Sequence, residues 1–278
     1  MLPNQPELEM RRAMIGGVPL EYADVGEGPA VILIHGGGPG ASGLSNYRRN
    51  VGPLSSSRRT ITLDLPGYGA SPARPPGEGM YDTYVDAILG LMDELEIDQA
   101  DFVGNSLGGG TALSLALRTP ERARRLVLMG PAGGFSMSPQ PTEGLLRMMT
   151  FYDADGPSKK KVERMLDLLV FDRSQLTAEL VEERYQACVR PEMIENPPLK
   201  GLKPHPKDEL WRSVGRLKHE TLIIWGREDR VISLDNGFVL ARLMPRAELH
   251  VFPRTGHWVQ WERADQFNEL AAQFLDRP

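Results

Sequence analysis

An apolar run, Ala100-Asp101-Phe102-Val103, leads straight into Gly104-Asn105-Ser106-Leu107-Gly108, and Gly109-Gly110-Thr111-Ala112-Leu113-Ser114-Leu115-Ala116-Leu117 follows without a break. Strand, sharp turn, helix, with a serine at the apex: this stretch limits the possible folds more than any other. Glycines on both sides of Ser106 permit a strained turn that a Cβ would obstruct, so the serine Oγ is held out of the chain. The helix that begins at once aims its N–H groups and the positive end of its dipole at the same point, where negative charge is stabilised. A bare G-x-S-x-G occurs often by chance. The flanking strand and helix, in the right order, make Ser106 a candidate nucleophile.

The rest of the chain repeats that alternation. Strand-like runs at 19–25, 30–35, 59–65, 100–105, 124–130, 220–226 and 247–252 are interleaved with helical patterns at 81–95, 107–117, 235–243 and 265–275. Several of the strands are near-continuous Val/Ile/Leu, as expected when both faces of a parallel sheet are covered. The pattern predicts a doubly wound α/β fold, a mostly parallel sheet flanked by helices with an antiparallel first hairpin. From 135 to 207 there is helical periodicity and no strand, with candidate helices at 143–152, 159–171 and 177–189 and Thr177 placed as an N-cap. The predicted organisation is therefore a core of 1–134 and 208–278 with a helical cap, 135–207, inserted into it. Met137, Met148, Met149, Phe151 and Met165 give the cap adaptable apolar surface or ordinary helix packing. The Pro-rich stretch 196–206 returns the chain to the core.

Composition removes several function classes. The net charge is −5 and no basic block exceeds Lys159-Lys160-Lys161, which argues against nucleic acid as a partner. Met1-Leu2-Pro3-Asn4-Gln5-Pro6-Glu7 lacks the basic start and apolar region of a signal peptide, and no apolar stretch is long enough to span a bilayer. The single cysteine, Cys188, cannot form an internal disulfide, and neither a cysteine cluster nor H-E-x-x-H points to a metal. A cytoplasmic, metal-free protein is expected.

A serine hydroxyl needs a base, usually a histidine oriented by a carboxylate. Of the five histidines, His35 ends a strand, His205 and His219 lie in polar connections and His250 is inside a strand. His257, in Thr255-Gly256-His257-Trp258, follows the last strand, and loops after parallel strands gather at the carboxyl edge where Ser106 also lies. The acid is expected in another such loop. Asp229 in Arg227-Glu228-Asp229-Arg230 has the reach and the short side chain for a fixed bond to imidazole, with Glu228 its local rival. Backbone N–H groups for an oxyanion are available in the glycine-rich turn after 31–34, so Gly37 and Leu107 form the expected pair. A phosphate loop is the competing reading of Gly36-Gly37-Gly38, but no G-K-[ST] follows.

Four stretches together resemble the meta-cleavage product hydrolases of the α/β-hydrolase superfamily. They are His35-Gly36-Gly37-Gly38-Pro39-Gly40-Ala41-Ser42 continuing to Asn46-Tyr47-Arg48-Arg49-Asn50; Gly104 to Gly109; Trp225 to Arg230; and Gly256-His257-Trp258-Val259-Gln260-Trp261-Glu262. The resemblance implies an α/β-hydrolase fold, no cofactor, a homodimer or higher homo-oligomer, and a 2-hydroxy-6-oxohexa-2,4-dienoate as substrate. It implies that His257 shuttles a proton to convert the dienol to its keto form. Ser106 would then attack the C6 carbonyl and the C5–C6 bond would break. It also implies substrate contacts from Gly38, Asn46, Asn105 and Trp258, and a carboxylate-binding role for Arg190 in the cap. Arg190 stands directly before Pro191, where the following segment departs from the family pattern. Asn105 to Gly110 looks like the steroid-degrading members, and Val259 to Glu262 like the biphenyl and phenylpropionate types, so two kinds of C6 substituent stay open. A carboxylesterase with the same triad and a hydrolase-like small-ligand receptor are the rival functions.

Overall fold

The computed structural model describes residues 8–73, 75–138, 140–199 and 205–278. The leader reading at 1–7 and the middle of the Pro-rich stretch, 200–204, lie outside these. Eight strands form one sheet: β1 (Arg11–Ile15), β2 (Val18–Val25), β3 (Ala30–Ile34), β4 (Arg59–Leu63), β5 (Ala100–Asn105), β6 (Ala123–Met129), β7 (Glu220–Gly226) and β8 (Ala247–Phe252). Their order is β1-β2-β4-β3-β5-β6-β7-β8, with β1–β2 and β2–β4 antiparallel and every later pairing parallel.

The central strands are apolar on both faces because both faces are covered. Val31, Leu33, Val103 and Val127 pack with Phe267 and Phe274 on one side, while Ile32, Phe102, Leu126 and Leu128 pack with Val85, Ile88 and Leu113 on the other. All of these are at most 2% exposed, and each side chain of this size contributes about 1.5–3 kcal/mol by burial. The first hairpin differs from expectation. β4 lies between β2 and β3, and β2 pairs instead with β4 and with β1, a strand not expected from sequence. Its sequence, Arg-Arg-Ala-Met-Ile, buries only Ala13 and Ile15, as an edge strand with one covered face does.

The helices are α1 (Gly43–Tyr47), α2 (Val51–Ser55), α3 (Asp82–Glu94), α4 (Leu107–Arg118), α5 (Glu143–Met149), α6 (Lys159–Leu169), α7 (Ala178–Cys188), α8 (Pro191–Glu195), α9 (Asp235–Leu243), α10 (Val259–Glu262) and α11 (Ala264–Leu275). Between β6 and β7 the described residues hold α5 to α8 and no strand. Thr177 does cap α7, its side chain accepting from Leu180 N–H at 3.2 Å. The inserted helices have their own apolar cluster, in which Met148, Phe151, Met165, Leu169 and Cys188 meet Trp258 and Trp261 from the core. Of the apolar cap residues singled out in the sequence, Met137 and Met149 are exposed instead. No helix among the described residues is long and apolar enough to cross a membrane.

Candidate active site

The parallel strands deliver their following loops to one edge, and four of those loops meet there. β5 runs directly into Ser106, which has φ 54° and ψ −114°, and α4 starts at the next residue. The turn is locked from behind: Ser106 N–H donates to Met129 O (2.8 Å), and its carbonyl accepts from Gly110 (3.0 Å) and Ala132 (2.9 Å). The flanking glycines are required by space, since a Cβ at Gly104 would stand 2.5 Å from Gly108 O, and one at Gly108 2.1 Å from Ile34 O. A left-handed non-glycine residue costs energy that the rest of the fold supplies, and it presents the hydroxyl to the cavity.

His257, from the loop after β8, and Asp229, from the loop after β7, are joined by a 2.7 Å Nδ1–Oδ2 hydrogen bond, with side chains 2% and 1% exposed. The other carboxylate oxygen accepts from the N–H groups of Val231 (2.7 Å) and Ile232 (3.0 Å), so Asp229 is fixed at both ends. That arrangement places the proton on Nδ1 and leaves Nε2 as the acceptor. Among the described residues Nε2 is buried without a hydrogen-bond partner. Glu228, the rival acid, is instead occupied with Arg227 and with Thr255 N–H. Gly130 sits beside the pair with φ +47°, and a Cβ there would be 3.1 Å from the His257 ring and 3.2 Å from Asp229 Oδ2.

The glycine turn after β3 packs on the Ser106 turn, where a Cβ at Gly37 would stand 3.0 Å from Leu107 Cδ2. Leu107 is the first residue of α4, so its N–H has no acceptor within the helix. His35 braces this turn. It is fully buried, its Nε2 accepts from Leu65 N–H (2.9 Å), and Nδ1 therefore carries the proton that goes to Gly36 O (2.8 Å). Burial pushes its pKa down to about 4, with the Gly36 bond opposing the shift, and the ring is neutral.

Ser106 and His257 share a cavity of about 10 Å3 lined by Gly36, Gly37, Gly38, Ala41, Asn46, Asn105, Met148, Leu169, Arg184 and Trp258. That is close to the space of a single water. Two side-chain acceptors stand unpaired at it, Oδ1 of Asn46 and Oδ1 of Asn105. Their amide nitrogens are spent on Ser42 O (3.1 Å) for Asn46, and on Met129 O (3.2 Å) and His257 O (3.4 Å) for Asn105. A wider cleft of about 1030 Å3, lined by Arg124, Lys218 and Arg246 among others, lies at the opposite end of the sheet and holds none of these residues. Among the described residues no group of three or more His, Cys, Asp or Glu could hold a metal ion.

Arg190 is not at the cavity. It is the N-cap of α8, donates to Gly69 O, lies 3.7 Å from Glu192 and is 36% exposed. The arginine between β6 and β7 that does line the cavity is Arg184, on α7, which the sequence did not single out. It is 1% exposed, donates from Nη1 to Pro39 O (3.2 Å) and lies over the Trp258 ring at 4.7 Å. Its Nε and Nη2 have no partner among the described residues, and burial pushes its pKa down to about 10. The difference between the two arginines is geometric. Leu180, Arg184 and Cys188 are spaced by four and share the buried face of α7, whereas Arg190 follows after the helix has ended and its chain has turned away.

Residues 29–264 match the family described as alpha/beta hydrolase fold. A 2-hydroxy-6-oxo-6-phenylhexa-2,4-dienoate hydrolase of Burkholderia cepacia is 45% identical over 257 residues, covering 91% of this chain and 89% of that protein. A 2-hydroxymuconate semialdehyde hydrolase of Pseudomonas sp. (strain CF600) is 42% identical, covering 98% and 95%. Among solved structures, a meta-cleavage product hydrolase from Pseudomonas fluorescens IP01 superposes with a TM-score of 0.86 at 40% identity, covering 97% of this chain and 98% of that one. With matches of this identity running nearly end to end, the chain belongs to the meta-cleavage product hydrolases of the alpha/beta hydrolase fold.

Proposed function

We propose that the protein hydrolyses the C5–C6 bond of a 2-hydroxy-6-oxohexa-2,4-dienoate, giving a carboxylic acid and 2-hydroxypenta-2,4-dienoate. The observation that carries this reading is Arg184, a buried guanidinium with two unpaired nitrogens in the same cavity as Ser106. A buried unpaired cation is costly unless an anion completes it, and a simple ester offers none. A dienoate does, at C1, while placing its carbonyl at the other end.

In this reading Arg184 takes the carboxylate through a fork of charged hydrogen bonds. The 2-hydroxyl donates to an unpaired oxygen of Asn46 or Asn105, and Trp258 lines the dienoate. The proton leaving that hydroxyl is transferred by His257 to C5, which makes the substrate a ketone with a protonated C5. Nε2, free again, accepts the Ser106 proton as Oγ attacks C6. The oxyanion is received by the N–H groups of Gly37 and Leu107 in the glycine turn that includes Gly38. Collapse breaks C5–C6, because the electron pair left on C5 is delocalised through C3–C4 onto the C2 oxygen, which takes the proton held on Nε2 to give the hydroxydienoate. Water then attacks the acyl-serine, giving a proton to Nε2, and Nε2 returns it to Ser106 Oγ as the acid is released. The helical segment 135–207 serves as the cap and must move to admit substrate to so small a cavity. The protein works without a cofactor, as a cytoplasmic homo-oligomer.

The test is loss of the yellow dienolate absorbance with purified protein and with Ser106→Ala, across substrates of varied C6 group. Bleaching by wild type and none by the variant supports the proposal. Rapid hydrolysis of p-nitrophenyl esters with the dienoate left intact would establish the carboxylesterase instead.

A further inference from the structure

Glu262 closes α10, the short helix after the His257 loop, and the residue is 8% exposed. Oε1 accepts from Phe171 N–H (2.8 Å) and Asp172 N–H (2.9 Å), which lie just beyond α6 in the cap. Oε2 accepts from Gly256 N–H (2.6 Å), immediately before the catalytic histidine. One side chain therefore ties the cap to the residue that precedes the base. The same seam is closed by Trp258 N–H donating to Leu169 O (2.9 Å), and it leaves no space at Gly256, where a Cβ would stand 2.7 Å from Leu169 O. Other supports of the loop come from the core alone: Glu228 Oε2 accepts from Thr255 N–H (3.0 Å), and Arg263 Nε donates to Thr255 Oγ1 (2.9 Å). Leu169, at the cap end of the seam, also lines the cavity.

We infer that Glu262 is a positioning residue for His257, fixing Gly256 to the cap segment 169–172 so that the imidazole is aligned when the cap is seated over the substrate. This rests on the reading of His257 as the base of Ser106. Burial raises the Glu262 pKa, and the three N–H donors oppose that rise, as expected of a carboxylate held for its bonding capacity. Substrate that shifts Leu169 is thereby felt at Gly256, and an open cap leaves the base less well held.

Glu262→Gln separates the two ends. Its single oxygen keeps the pair of cap N–H groups, while its NH2 faces Gly256 N–H and cannot accept from it. Two rates are measured on protein whose intact Ser106 sites have been counted: turnover of 2-hydroxy-6-oxo-6-phenylhexa-2,4-dienoate, and labelling of Ser106 by a fluorophosphonate, which needs the base but not the dienoate. The expected result is a fall in kcat of about a hundredfold with KM little changed, and a parallel fall in labelling rate, as for a base displaced by a fraction of an ångström. Slower labelling in E262Q when even the wild type leaves the dienoate intact supports this inference while sinking the substrate reading. E262Q rates close to wild type per intact site, or a raised KM with kcat preserved, overturn it. If E262Q does not fold, the same two rates are measured on Glu262→Asp, charged but one methylene too short to span both sides: slowed labelling supports the inference, and rates close to wild type overturn it.

Discussion

Replacing Arg184 by methionine sets the proposed role of the cap arginine against a purely structural one, because the two predict opposite balances of activity and stability. Arg184 has two unpaired nitrogens, Nε and Nη2, available to a carboxylate. Hydrogen bonds to charged groups contribute about 1.5–3 kcal/mol each, so the substrate loses about 4 kcal/mol of binding, a factor of about a thousand in kcat/KM. In the free protein the sign differs. Burial holds the guanidinium pKa down at about 10, so the folded state disfavours the cation; at neutral pH, below both folded and unfolded values, it carries that penalty in full, about 3 kcal/mol. Methionine relieves it but forfeits the stacking on Trp258, about 1–2 kcal/mol, and the bond to Pro39 O, about 1 kcal/mol or more. The net change is near zero and Tm should move by only a few degrees. The assay is dienolate bleaching alongside hydrolysis of p-nitrophenyl acetate, which has no carboxylate to bind. The expected outcome is a large loss on the dienoate, a small one on the ester and an intact melt. Equal losses on both substrates, or a collapse in Tm, would show that Arg184 is scaffold and that the carboxylate binds elsewhere.

Three further outcomes are expected from the same geometry. Arg190→Met should leave the dienoate KM within about threefold of wild type, since its bond to Gly69 O lies outside the cavity; a rise like that of Arg184→Met would restore it as a substrate ligand. Asp229→Asn keeps an oxygen for Val231 and Ile232 but turns an NH2 toward His257, driving the ring proton to Nε2; kcat should drop by about 10^4 with the far-ultraviolet spectrum unchanged. His35, neutral in the fold with a pKa near 4 against 6.5 when unfolded, contributes stability that is complete above pH 6.5 and lost as pH falls toward 4, about 3 kcal/mol in all. Acid melts of wild type and His35→Asn should show that loss only in the former, and identical acid slopes would refute it.

The sequence made visible what local chemistry decides and hid what tertiary packing decides. Ser106, Asp229 and His257 could be read together because each lies in a loop after a strand-like run, and parallel strands of one sheet must end at one edge. β1 was not, since Arg11, Arg12 and Met14 point outward and only Ala13 and Ile15 carry the buried face. α1 and α2, of five residues each, are too short for a helical period to show. Arg184 was not singled out: Glu182 and Glu183 stand beside it, and only Leu180 and Cys188, four residues to either side, mark the buried face it shares. Glu262 lay inside a recognised motif, but its partners are backbone N–H groups of a segment about 90 residues away in the chain, which no spacing rule reports.

Why the glycine turn after β3 runs on to a fourth glycine is answered only by the cap. Gly36 and Gly37 are crowded by Asn105, Ser106 and Leu107, with Cβ positions at 2.9–3.4 Å from their side chains, so they let the turn sit against Ser106. Gly40 faces the other way: its φ is +67° and a Cβ would stand 2.3 Å from Arg184 O. The turn is therefore also a seat for the backbone of α7 at the residue whose guanidinium enters the cavity. Gly256 plays the matching part on the histidine side, pressed against Leu169 and Val170. Both the glycine turn and the His257 loop thus meet the helices between β6 and β7 through a glycine, one fixing the distance from Arg184 to Gly40 and the other from Leu169 to Gly256. The span between Arg184 and Ser106 is then set by backbone contact rather than by flexible side chains. A Gly40→Ala change should lift α7 and lower kcat/KM on the dienoate about tenfold or more, while sparing p-nitrophenyl acetate. Equal loss on both substrates would mean that the turn supports the serine alone.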